Sequence, residues 1–291
     1  MTRFAVRCVL FICLSLLSFA ESPAQKPFFT KQILLGAHRG GADEWPENTL
    51  YGFQECAKAH PGILLETDAR LTADGAVVLL HDKTVDRTTN GAGEVSKLTL
   101  EQVKALDAGY KFTTDNGATF AQRGKGLTIA TLKEVLEALP EAHMLVELKG
   151  EPALADAAIK IIRDVKAEGR VLFASFVPPT MDRARQLAPD MAYCFDMKNG
   201  TALLMAVRSP KWADYTPQAD VLSIDDGMIA RYNLTPDEIK KMQTKGIRFQ
   251  VHTINDPAQM KGFVAQGVDS ILTDRPTALA NVIAEAKTLT K

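Results

Sequence analysis

The sequence predicts an α/β chain folded as one (β/α)8 barrel, the TIM-barrel architecture, and three observations carry that expectation. Short apolar runs rich in β-formers alternate with amphipathic helical stretches along most of the chain. Several runs, such as Met144-Leu145-Val146, are apolar without alternation, as suits a parallel strand covered on both faces. The 291 residues also match the roughly 250 that such a barrel needs.

Strands are expected at Gln32 to His38, Ile63 to Leu71, His143 to Leu148, Val171 to Phe176, Ala192 to Met197, Asp220 to Ile224, Ile247 to Thr253 and Ser270 to Thr273. Helices are expected at Glu47 to Ala59, Thr131 to Leu139, Ala153 to Glu168, Pro179 to Leu187, Ala202 to Arg208, Pro236 to Lys245, Pro257 to Ala265 and Thr277 to Ala286. Thr235-Pro236 and Asp256-Pro257 each place a capping side chain before a proline at the first helical position. Gly169, Gly246 and Gly267 stand where a left-handed cap would end a helix before the next strand. One stretch breaks the rhythm. Asp74-Gly75 turns the second strand back through Ala76 to His81, and the segment from Thr84 to Gly126 then reads as an elaborated loop after that strand, with one helix at Leu100 to Leu106.

The first residues are of a different kind. Arg3 and Arg7 precede an apolar run from Cys8 to Ala20, followed by Glu21-Ser22-Pro23-Ala24. This is the pattern of a secretory signal peptide over residues 1–24, with the barrel domain occupying 31–291. The run is short of the roughly 20 apolar residues a spanning helix requires, so no stable membrane anchor is expected after cleavage. Export, to a periplasm or outside the cell, follows. The mature chain keeps Cys56 and Cys194, each among apolar neighbours, which reads as buried free thiols. A net charge of -1, from 34 basic and 35 acidic residues, lacks the basic footprint of a nucleic-acid binder. An anionic partner must be recognised by a local site.

In this fold the active site gathers where strands end and βα loops begin. His38-Arg39 closes the first strand; Glu66 and Asp68, two apart on the second, point the same way. His81-Asp82 ends the returning hairpin, and Glu147 and Lys149, again two apart, end the third barrel strand. Three carboxylates sharing one site repel each other unless a cation sits among them. Carboxylate oxygens suit a hard divalent ion, Ca2+ or Mg2+. Arg39 and Lys149 suit a phosphate anion, and two histidines can move protons near neutral pH. Singly, each of these residues reads as a surface pair or a structural histidine. Together, at successive ends of apolar strands, they are costly to bury without a site to serve.

An ordered set of short motifs then carries a family likeness. His38-Arg39-Gly40, Pro46-Glu47-Asn48-Thr49, Glu66-Thr67-Asp68, Thr72-Ala73-Asp74-Gly75 and His81-Asp82 are followed by Arg87-Thr88-Thr89, Gly91-Ala92-Gly93, Glu147-Leu148-Lys149 and Ser175-Phe176. Gly267-Val268-Asp269 and Thr273-Asp274-Arg275-Pro276 close the series. The sequence resembles the glycerophosphodiester phosphodiesterase family across nearly the whole mature chain. The resemblance implies metal ligation by Glu66, Asp68 and Glu147, acid/base work by His38 and His81, and phosphate contacts from Arg39 and Lys149. It implies a small-molecule glycerophosphodiester substrate, and attack by the glycerol 2-hydroxyl through a cyclic phosphate that water opens. Two positions depart from the pattern. His252 stands where the family usually carries tryptophan and is a possible substrate-pocket residue; Ala130 replaces a usual proline.

Two competing readings use the same barrel. A lysophospholipase D or sphingomyelinase-D-like phosphodiesterase would want a wide apolar entrance. A non-catalytic binding protein would lack a histidine or a carboxylate of the set, and none is missing. A zinc amidohydrolase would want a His-x-His pair on the first strand, which Ala37-His38-Arg39 does not supply.

Overall fold

The computed structural model describes residues 26–30 and 34–289; the expected signal segment, 1–24, lies outside them. The strands are β1 (Leu35–Ala37), β2 (Leu64–Leu71), β3 (Val77–Leu79), β4 (His143–Leu148), β5 (Val171–Ala174), β6 (Ala192–Tyr193), β7 (Val221–Ile224), β8 (Arg248–Val251) and β9 (Ser270–Thr273). All but β3 pair in parallel, in the order β6-β5-β4-β2-β1-β9-β8-β7. A parallel bridge between Cys194 and Val221 joins the two ends of that order, so the eight staves close. β3 is the antiparallel return of the hairpin, pairing Ala69, Arg70 and Leu71 of β2 with Leu79, Val78 and Val77. Gly75 makes the turn with φ 84°, a backbone conformation that side chains disfavour.

The helices follow the staves: α1 (Leu50–Ala59), α2 (Leu100–Lys104), α3 (Leu132–Ala138), α4 (Pro152–Asp164), α5 (Pro178–Leu187), α6 (Met197–Ala206), α7 (Asp226–Tyr232), α8 (Pro236–Gln243), α9 (Pro257–Gln266) and α10 (Pro276–Leu289). Their starts are fixed by side chains. Thr131 with Glu134 and Thr235 with Glu238 form capping boxes, and Asp256 accepts the Gln259 N–H ahead of Pro257. Gly246 and Gly267 take the left-handed conformation expected of them. Gly169 does not; Lys166, with φ 55°, turns the chain after α4 instead, and Gly169 sits in a short 3-10 turn at Glu168–Arg170.

Period-2 alternation divides every stave between two environments. Outward residues such as Leu65, Val146, Phe173, Phe249 and Val251 are buried beneath the helices in two large apolar clusters. Each fully buried Leu or Phe there stabilises the fold by about 1.5–3 kcal/mol. Inward residues Leu64, Leu145, Leu172, Cys194, Val221 and Leu272 meet in a third cluster with Phe28, forming the floor of the barrel. Gly36 of β1 also faces this layer, and a Cβ there would stand 2.4 Å from Leu272 Cδ2. Counting up two residues at a time from that floor, the inward face turns polar. Leu64 leads to Glu66 and Asp68, Leu145 to Glu147 and Lys149, and Val221 to Ser223.

Residues 80–131 are anchored by their own cluster, in which Leu80, Val85, Val95, Val103 and Ile129 pack on Val78 of β3. Cys56 and Cys194 are both buried thiols, and burial pushes the Cys56 group up to about 12. Among the described residues no helix is long and apolar enough to cross a membrane.

Candidate active site

The barrel register brings the carboxylates together. Asp68 of β2 lies directly beside Glu147 of β4, and Glu66 sits two residues below Asp68 on the same face. One oxygen from each of Glu66, Asp68 and Glu147 lies within 4.8 Å of the others, and the first two side chains are almost fully buried. Burial, and then the neighbouring Asp68 charge, lifts the Glu66 carboxyl far above its ordinary range, against the opposing pull of His38. A cation between the three would reverse that penalty.

Two side-chain cations already lean on the cluster. Lys149 Nζ lies 2.8 Å from Glu147 Oε1 and 3.3 Å from Asp68 Oδ1. Arg39 Nε stands 3.5 Å from Asp68 Oδ2, and although buried it makes no hydrogen bond. With all three carboxylates ionised, as a bound cation would keep them, two positive charges leave a residual negative one. The donor set therefore fits a hard divalent ion: oxygen ligands only, converging, with a residual negative charge. Arg39 owes its place to backbone geometry. It adopts φ 51°, ahead of Gly40 at φ 84°, which lets its N–H donate to Glu66 Oε2 at 2.7 Å. A Cβ on Gly40 would meet Phe53 Cδ1 at 2.9 Å.

Both histidines are held by carboxylates. His38, directly after β1, donates from Nδ1 to Asp274 Oδ1 at 2.7 Å, and Asp274 in turn accepts from Asn255 Nδ2 at 2.7 Å. Burial alone would lower the His38 pKa; the Asp274 hydrogen bond, helped by the nearby Glu66 charge, outweighs it and the net shift is upward. His81 donates from Nδ1 to Asp82 Oδ1 at 2.7 Å. Arg87 donates to Asp82 at 2.7 Å and to both Glu47 oxygens at 2.6 and 2.8 Å, and it holds the Asp82 carboxyl down at about 2. With each Nδ1 occupied, Nε2 of both rings is left for proton transfer.

Six of the residues expected at the rim, His38, Arg39, Glu66, Asp68, Glu147 and Lys149, thus lie around one acidic centre, and His81 is tied to that rim through Arg70, which holds its main-chain oxygen and that of Lys149. The eighth, His252, follows β8 on the facing side, with Nδ1 3.0 Å from Ser223 Oγ. Burial, then the His38 charge, lowers its pKa to about 4, so it is neutral. Sequence reasoning missed the supporting layer. Asn48 donates to Asp68 Oδ2 at 2.9 Å and accepts from Thr67 Oγ1 at 2.7 Å. Arg70 donates to the main-chain oxygens of His81 and Lys149, tying the hairpin to the end of β4. Asp274 carried a usable signal, since it directly follows the last barrel strand.

Comparison with known proteins agrees with this geometry. The model of the Glycerophosphoryl diester phosphodiesterase family matches residues 38–278. A glycerophosphodiester phosphodiesterase of Caldanaerobacter subterraneus subsp. tengcongensis is 32% identical over 259 residues, spanning 87% of this chain and 98% of that protein. Among solved structures, a glycerophosphodiester phosphodiesterase from Agrobacterium tumefaciens superposes with a TM-score of 0.69 at 25% identity, over 87% of this chain and 99% of the other. A phosphodiesterase from Oleispira antarctica, in complex with the product sn-glycerol-3-phosphate, gives 0.70 at 25% identity, over 89% and 100%.

Proposed function

The chain belongs to the glycerophosphoryl diester phosphodiesterase family and hydrolyses glycerophosphodiesters, and on that premise we propose how its own residues divide the work. The observation that carries the proposal is three converging carboxylates with His38 beside them and His81 at the end of the hairpin tied to β4, each ring with Nδ1 fixed by an aspartate. Glu66, Asp68 and Glu147 would hold one divalent ion, Ca2+ or Mg2+. When bound, that ion polarises a phosphate oxygen and lowers the pKa of a glycerol hydroxyl.

One histidine takes the proton of the glycerol 2-hydroxyl on Nε2, and the oxygen forms its bond to phosphorus. The other histidine gives its proton to the departing alcohol as the second ester bond breaks. The cyclic glycerol phosphate left behind is opened by water, with the two rings exchanging roles, to give glycerol 3-phosphate. Arg39 and Lys149 bring positive charge to the phosphoryl oxygens as negative charge builds there, beside carboxylates that are almost fully buried. Arg39 Nε, buried and without a hydrogen bond at 3.5 Å from Asp68 Oδ2, is a donor that a phosphate oxygen would satisfy.

We also propose that the protein is exported, with residues 1–24 removed, to a periplasm or the exterior; the charged start, apolar run and small exit residues support this. Amino-terminal sequencing of the secreted or periplasmic protein tests it, and an intact Met1 would contradict it. The reaction is tested by measuring glycerol 3-phosphate release from a panel of glycerophosphodiesters, before and after chelation and with Ca2+ or Mg2+ restored. Release that survives thorough chelation would remove the metal from the scheme.

A further inference from the structure

The wall facing the carboxylates holds a cavity of about 250 Å³ that the chemistry above leaves unused. Its walls are mostly apolar: Phe176, Met197, Gly200, Leu204, Met228 and His252 line it. Exposed apolar side chains that share one concave surface mark a ligand groove where a lone one would not, and Phe176, 62% exposed, and Met197, 56% exposed, both line this cavity. The two carboxylates at its margin are already engaged. Asp196 is held by Arg185 and Asn199, and Asp225 caps α7 through the Met228 N–H.

The stave order fixes where this cavity sits relative to the reaction. Glu66 and Asp68 stand on β2 and Glu147 on β4; β7 lies four staves from β2 and β8 four staves from β4, so the two form the opposite wall of the barrel. Ser223 and His252 come from that far wall, and His252 is shared between the cavity and the mouth of the barrel, where it senses the charges of His38 and Lys149. A diester whose glycerol half lies over the carboxylates therefore extends its other substituent toward the cavity. We propose that this cavity binds the leaving alcohol, and that it selects glycerophosphodiesters whose alcohol carries an apolar group such as an alkyl chain. The inference rests on the hydrolase reading given above and adds the class of alcohol. A neutral His252 places no charge against such a chain, and Met197 and Met228 are side chains that adapt to varied apolar shapes.

The test is a series of synthetic glycerophosphodiesters of ethanol, butanol, hexanol and octanol, assayed with metal-replete enzyme. kcat/KM should rise with chain length, by up to about fourfold per methylene, until the cavity is filled. The neutral 3,3-dimethylbutyl diester should be cleaved at least as well as its choline isostere. Gly200→Leu should flatten the rise and leave the ethyl diester unaffected. A Cβ at Gly200 meets only ordinary contacts, Leu222 Cδ1 at 3.5 Å and Phe195 Cβ at 3.7 Å, so the added side chain fills the cavity rather than the helix packing. Met197→Lys, at the exposed edge, should depress the octyl rate and spare the ethyl rate. Equal rates along the series, a rise that persists in Gly200→Leu, or a clear preference for choline over its neutral isostere would each overturn the proposal. Cleavage of the ethyl diester with a flat series defeats this inference and leaves the hydrolase reading standing. Inactivity toward every diester defeats the hydrolase reading; calorimetric binding of the octyl diester, expected in the wild type and lost in Gly200→Leu, then decides the cavity by itself.

Discussion

His38 and Asp274 lie 236 positions apart in the chain and share a 2.7 Å hydrogen bond between Nδ1 and Oδ1. The closure of the barrel makes this contact, because β1 pairs with β9 and the two residues follow directly after those strands. Asp274 thus fixes the ring orientation and favours its charged form. Asp274→Asn removes the negative partner, so the His38 pKa should fall. The limb of the pH–rate profile governed by His38 should move to lower pH, with kcat/KM reduced roughly tenfold or more. A profile that keeps both limbs in place would show that Asp274 does not tune His38.

Replacing either ring outright is a harsher test. His38→Ala and His81→Ala should each slow turnover by at least about a hundredfold with the fold retained by circular dichroism. Near-normal rates in both variants would remove the pair from the mechanism.

Gly40 is expected to be intolerant for a geometric reason. Its φ of 84° and the 2.9 Å approach of Phe53 leave no room for a side chain, and the strain passes to Arg39 next to it. Gly40→Ala should lower the unfolding free energy by about 1–3 kcal/mol and weaken phosphate binding more than it lowers Tm alone would explain. Denaturant melts and the Ki for inorganic phosphate check the two effects; a variant as stable and as phosphate-sensitive as the wild type would contradict this.

Far from the site, Glu238 offers a clean linkage test. Arg208 donates to it at 2.6 Å, and this pairing, with the Thr235 N–H, depresses its pKa to about 2 from an ordinary 4.5. A carboxylate with a depressed folded pKa stabilises the fold above its unfolded value and loses that contribution as pH falls through the folded one. The Tm gap between wild type and Glu238→Gln should therefore be full above about pH 5 and close progressively toward pH 2. A gap that is constant with pH would mean the charge is not what matters there.

Legibility varied along the chain for physical reasons. The expected limits of β4 and β9 coincide with those observed, because each is built on a short apolar run, Met144-Leu145-Val146 and Ile271-Leu272, between polar residues. The strand expected at Ala192 to Met197 ends at Tyr193, and α6 begins at Met197 rather than Ala202, because Asp196 caps that helix through the Asn199 N–H. A cap inside an apolar stretch is hidden from periodicity. α7 was not expected at all. None of its residues is fully buried, and its apolar stripe is only Met228, Ile229 and Tyr232, half-buried on the core, too short to stand out between Asp225 and Asn233. Within the site, the residues on strand ends were legible from spacing. The supporting roles of Asn48, Arg70 and Asn255 were not, because they depend on which distant staves become neighbours, and Asp274 was marked only by its place after the last strand.

The central claim is that Glu66, Asp68 and Glu147 hold one divalent ion. Calorimetric titration of Ca2+ and Mg2+ into chelator-stripped enzyme tests it without reference to turnover. One ion should bind per chain in the wild type, with Tm raised in its presence, and binding should be lost in Asp68→Asn and in Glu147→Gln. Undiminished binding in both variants, or no binding to the wild type at millimolar ion, would contradict it.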